Sequence, residues 1–128
     1  MKPILLQLLL ILSINSFSQN NPNDITGKWM KTPKKDIIIQ VYKVATEYRG
    51  KITWVGDKLK KKDVGFMILQ NLKYSPESNS WKNGKIHNPN NGKSYDAEAR
   101  IKPDGTMEVL AYKGMKFLGT KKYFARVK

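Results

Sequence analysis

The chain predicts an all-β domain, an antiparallel barrel or sandwich of about seven or eight short strands with little helix. Two observations carry this expectation. Successive segments alternate apolar and polar side chains with the period of two that a half-buried strand requires. Turn-forming clusters separate them at intervals of roughly eight to twelve residues, among them Asn88, Pro89, Asn90, Asn91, Gly92 and then Pro103, Asp104, Gly105, in which proline pre-sets a turn and asparagine, aspartate and glycine tolerate positive φ. No long amphipathic helical pattern competes.

Ile25 to Lys31 is the first expected strand, and Thr32 to Asp36, with Pro33, breaks the chain after it. Ile37 to Val44 is rich in β-branched residues and sets Ile37, Ile39 and Val41 on one face against Ile38, Gln40 and Tyr42 on the other. In Tyr48 to Val55, alternation groups Tyr48, Gly50, Ile52 and Trp54 opposite Arg49, Lys51, Thr53 and Val55. Phe66 to Tyr74 is open between strand and short helix, because Phe66, Leu69 and Leu72 also fit a helical face. Ser80 to Ile86, carrying Trp81, and Lys93 to Ile101 flank the Asn-rich turn. In the second of these, Tyr95, Ala97, Ala99 and Ile101 share one face, and Ser94, Asp96, Glu98 and Arg100 the other. Thr106 to Tyr112 pairs back across the Pro103 turn, Gly114 to Gly119 forms an apolar loop or single helical turn, and Thr120 to Val127 closes the domain.

The N-terminus has the three-part layout of a secretory signal peptide: basic Lys2, an apolar run from Ile4 to Leu12, then Ser13, Ser16 and Ser18. Cleavage after Ser18 is expected, and with it export to the periplasm or beyond. The apolar run falls short of the roughly 20 residues a spanning helix needs. With no cysteine in the chain, disulfides, thiolate metal sites and a lipid-modified N-terminal cysteine are excluded. Residues 19 to 128 form a single domain, large enough to be held together by its core alone.

The formal net charge is +14, of which the signal segment carries only Lys2. A domain this basic attracts lipid phosphates, anionic polysaccharide and acidic proteins. Lys58, Lys60, Lys61 and Lys62 concentrate the charge between Gly56 and Gly65, where mutual repulsion favours a solvated loop. That loop has no aromatic residue on which a base could stack, so no nucleic-acid partner is expected.

Candidate chemistry is sparse. His87 is the only histidine and lies beside a turn, without the partners a general base or a metal site needs. Asp96 and Glu98 share a strand face with Arg100 and Ser94, a pattern that ordinary cross-strand ion pairing explains. No activated serine motif or phosphate-binding glycine loop is present. Trp29, Trp54, Trp81 and Tyr95 are the candidates to line a ligand cavity, although alternation also suits the three tryptophans to the core.

Several motifs together resemble the exported bacterial family catalogued as domain of unknown function 2147. They are Gly27-Lys28-Trp29, Gly50-Lys51-Ile52 with Trp54, the run from Trp81 to Tyr95, Lys102 to Gly105, and Phe117 to Gly119. His87 and Asn88 stand where the family pattern has an aromatic residue and an aspartate. The Gly27-x-Trp29 opening with basic Arg126 in the last strand is also similar to the lipocalin and calycin signature. This resemblance implies an up-and-down barrel or half-barrel in which the tryptophan closes one end and a cationic side chain packs across it. The expected role is non-catalytic: a monomeric exported module holding a small apolar or amphipathic ligand or an anionic lipid or glycan of the envelope, without a cofactor. The alternative is an enzyme built around Asp96, Glu98 and His87.

Overall fold

A computed structural model describes residues 24–128, so the expected signal segment at 1–18 lies outside the described residues. The alternating segments form β1 (Gly27–Thr32), β2 (Ile37–Val44), β3 (Glu47–Val55), β4 (Met67–Ser75), β5 (Ser80–His87), β6 (Ser94–Ile101), β7 (Met107–Tyr112) and β8 (Thr120–Arg126). Each pairs antiparallel with its sequence neighbours, and β8 returns to β1 to close the barrel. Closure leaves no exposed sheet edge for another chain to extend. The segment left open by its period is β4, because Leu69 finds partners on both sides, Gly50 in β3 and Ile86 in β5. Among the described residues helix is confined to short 3-10 segments at Lys58–Asp63 and Lys116–Leu118.

The two ends of the barrel differ. At one, short turns at 45–46, 76–79 and 102–106 leave little room between strands, and the interior is filled. Trp29, Leu72, Met107 and Phe124 are fully or almost fully buried there, with Ile25 beneath them. The Trp29 indole Nε1 donates to the Ile25 carbonyl at 2.9 Å. The Arg126 guanidinium lies 4.3 Å from the indole centroid and donates to the Thr26 and Asp24 carbonyls at 3.0 and 2.7 Å. Gly27 admits this stack: its φ is +126°, and a Cβ would stand 3.0 Å from Arg126 Nη1. One cation thus covers the core tryptophan and ties the segment just before β1 to the last strand.

Gly84 is another position where glycine is required by contact, since a Cβ would fall 2.5 Å from Leu72 Cδ2. Facing β5, Leu72 fills the space that a side chain at 84 would occupy. At the opposite end the loops 33–36, 56–66, 88–93 and 113–119 are longer. They surround a mouth.

One expectation of alternation fails. Between β2 and β3 the register steps from Ile38 opposite Trp54 to Ile39 opposite Ile52, leaving Thr53 as an extra residue. Such a bulge reverses side-chain parity beyond it. Val55 therefore turns inward against the core, while Trp54 turns outward and is 44% exposed.

Candidate functional site

Below the mouth lies a cavity of about 590 Å³, within the range of roughly 300 to 1,000 Å³ usual for small-molecule sites. Ile37, Ile52, Val55, Ile68, Ile86 and Phe124 give it apolar walls. Each lies on an inward face of its strand. Ala111 adds a small side chain, and Tyr95 supplies a ring with a hydroxyl.

Two strand lysines also line this space. Lys31 shares the inward parity of Trp29 on β1, and Lys122 that of Phe124 on β8. Because Lys31 pairs with Phe124 across the β1–β8 seam, Lys122 is one diagonal step away on the same inner face, within reach of a shared ligand. Neither forms an ion pair within 4.0 Å among the described residues. Asp36, Asp57 and Asp63 line the cavity as well, but all three come from the mouth loops. Of the charged groups lining this space, the wall carries only the two lysines, and the rim adds the three carboxylates together with Lys60.

The rim is tied together. The Gly56 N–H donates to the Asp36 carbonyl at 2.8 Å, joining the first two mouth loops. Asp57 Oδ1 accepts from the Leu59 N–H at 2.9 Å and caps the 3-10 segment. The Lys60 ammonium reaches Asn90 Oδ1 at 3.4 Å, across to the Asn-rich turn. That turn is closed by Gly92 N–H to the Asn88 carbonyl at 2.8 Å, with Gly92 at φ +72°.

Of the four residues expected to line a ligand cavity, the structure brings Tyr95 to it. Trp29 and Trp81 are instead core, with 0% and 3% exposure, because their positions near the filled end of the barrel place them below the cavity. Trp54 lies outside the barrel for the bulge reason given above. The four lysines Lys58, Lys60, Lys61 and Lys62 are exposed, as repulsion between them requires, although the segment forms a 3-10 turn rather than irregular loop. Lys60 alone of the four reaches the cavity.

Of the residues of the catalytic alternative, Asp96 and Glu98 are occupied outside the barrel, whereas His87 lines the cavity. Asp96 pairs with Lys85 at 2.6 Å and Glu98 with Lys116 at 2.7 Å, both on the outward face of β6, whose inward positions are held by Ala97 and Ala99. His87 Nδ1 lies 2.6 Å from Ser94 Oγ at the rim. Among the described residues no three histidine or carboxylate side chains gather closely enough to share a metal ion. Lys31 and Lys122 were missed in sequence because they read as two of many lysines. Their signal is parity: each stands two residues from a large apolar side chain on the same strand face.

A closed eight-stranded up-and-down barrel with one filled end and one open cavity defines a lipocalin-type fold. It is similar to a solved structure of a protein from the human pathogen Helicobacter pylori that belongs to the lipocalin family, with a TM-score of 0.67 and 15% identity over 83% of this chain and 84% of that one. No curated protein matches the sequence. Residues 27–126 match the model of the family described as an uncharacterized protein conserved in bacteria, DUF2147, and the chain belongs to that family.

Proposed function

We propose that this protein is a non-catalytic carrier, exported after removal of residues 1–18, that holds a small amphipathic molecule with an anionic head in the barrel. The single observation behind this reading is the inward pair Lys31 and Lys122, without an ion-pair partner among the described residues, in a wall that is otherwise largely apolar. Two like charges facing one low-dielectric space repel each other, and a carboxylate or phosphate between them reverses the sign of that interaction. Charge-assisted hydrogen bonds from the ammonium groups fix the head, and the isoleucine-rich wall takes the tail.

The test compares a long-chain fatty acid with the alcohol and amine of the same chain length, by calorimetry on the purified protein. The acid is expected to bind tightest, and Lys31→Met with Lys122→Met to weaken it about tenfold or more while leaving the alcohol unchanged. Preference for the amine, or equal binding of all three, defeats the reading. Native mass spectrometry of protein from its own envelope should show the chain starting at Gln19 with an anionic amphiphile attached.

A further inference from the structure

The mouth carries a second, unused feature on its outer surface. Among the described residues eight large hydrophobic side chains are exposed, and the four most exposed of them, Leu59 at 88%, Phe117 at 80%, Leu118 at 71% and Met115 at 58%, all stand on mouth loops. They form two tips: Leu59 on the loop joining β3 to β4, and Met115, Phe117 and Leu118 on the loop joining β7 to β8. In an eight-stranded barrel these connections lie on opposite sides of the opening. Trp54 and Val64, also part-exposed, flank the first tip.

Charge follows the same asymmetry. The mouth loops 33–36, 56–66, 88–93 and 113–119 contain nine lysines and three aspartates. The turns at the other end, 45–46, 76–79 and 102–106, contain one lysine, Lys102, against Glu77 and Asp104. The domain's positive charge is therefore concentrated where its apolar side chains are least covered.

We propose that the mouth end docks on an anionic lipid bilayer, with Leu59, Met115, Phe117 and Leu118 entering the headgroup boundary and the surrounding lysines meeting lipid phosphates. Apolar side chains interleaved with lysine are the composition that seats a structure in a membrane interface, and basic segments are drawn to a negatively charged leaflet. A protein partner is less well matched, because ammonium groups between the tips suit a fluid array of phosphates better than the charge-depleted centre of a protein interface. The tips are held in place for this: Lys116 beside Phe117 is anchored to Glu98 at 2.7 Å, and the Gly65 N–H ties the first loop back to the Ile52 carbonyl at 2.7 Å. Docked this way, the cavity opens directly onto the bilayer.

The experiment is co-sedimentation with phosphatidylcholine vesicles, with and without about one part in three of phosphatidylglycerol. Binding is expected to the anionic vesicles, to fall as salt shortens the Debye length from about 10 Å at 0.1 M to about 3 Å at 1 M, and to drop about tenfold in Leu59→Ser with Phe117→Ser. Both side chains are mostly solvated, so the variant keeps its fold, and Val44→Ser at the opposite end serves as the control that leaves binding unchanged. Brominated phosphatidylcholine, mixed into the anionic vesicles, should quench tryptophan emission through Trp54, since Trp29 and Trp81 are buried, and Trp54→Phe should abolish that quenching. No retention on anionic vesicles, full retention of the double serine variant, or retention on an anionic polysaccharide in place of vesicles overturns the proposal. Because fatty-acid binding to the cavity is measured without vesicles, failure of docking and failure of the carrier reading are separately visible.

Discussion

Trp29 and Trp81 are both buried indoles in one core, yet their polar atoms are treated differently. Trp29 Nε1 has the Ile25 carbonyl as its acceptor, whereas Trp81 Nε1 is buried without a partner among the described residues. Trp81 is held instead by aromatic contacts, its ring 6.0 Å from Tyr48 in a T-shaped arrangement and 5.0 Å from Tyr74. Replacing an indole by phenylalanine keeps most of the apolar volume and removes the N–H. At position 29 this strands a carbonyl, and at position 81 it removes an unpaired donor. Trp29→Phe should therefore be more destabilising than Trp81→Phe by about 1 to 2 kcal/mol in urea melts. Equal losses would mean that volume, not hydrogen bonding, dominates at both sites.

The β2–β3 hairpin shows how one side chain can organise an element. Glu47 opens β3, accepts from Arg49 Nε at 3.0 Å, and reaches across to β4 to accept the N–H of Asn71 at 2.8 Å. Asn71 sits at φ +64°, out of regular strand geometry, and its N–H is served by this carboxylate. The Arg49 hydrogen bond first, and the Asn71 N–H second, hold the Glu47 carboxyl below its ordinary value. A carboxyl whose pKa is lower folded than unfolded contributes stability that is present above the unfolded value and is lost as pH falls through the folded one. Glu47→Gln should flatten the acid limb of the stability profile below the ordinary carboxylate range and leave the neutral-to-alkaline limb parallel to the parent. An unchanged acid limb would place the acid sensitivity elsewhere.

At the scale of the whole molecule, closure rests on the β1–β8 seam, and Arg126 spans it. Its hydrogen bonds to Thr26 and Asp24 join residues about 100 positions apart, and its stack on Trp29 adds roughly 0.5 to 2 kcal/mol. Arg126→Ala is expected to cost about 2 to 4 kcal/mol, since both charge-assisted bonds go with the stack. Arg126→Lys should recover only part, because an ammonium lacks the planar fork that serves two carbonyls and lies flat on an indole. Full rescue by lysine would show that charge alone closes the barrel.

Short-range chemistry determined much of this in sequence. Alternation placed seven strands within a residue or two of their observed limits, because a period of two is set by backbone geometry and survives wherever one face is buried. The turns at 88–92 and 103–105 were equally local, needing only residues that accept positive φ or pre-set it. The Gly27, Trp29 and Arg126 constellation was legible because the resemblance joined its two distant ends. Tertiary structure alone decided the rest. β4 became a strand because β3 and β5 stood ready to pair with it, which no period within nine residues encodes. Trp54 left the interior because one extra residue at Thr53 reversed the parity of everything after it, and a bulge is chosen by the partner strand. Lys31 and Lys122 became neighbours only when β8 closed on β1, and the apolar tips with their lysines became one surface only when alternate loops were gathered at one end. Periodicity tells each strand which face to bury, but the distance between two faces exists only once the sheet has closed.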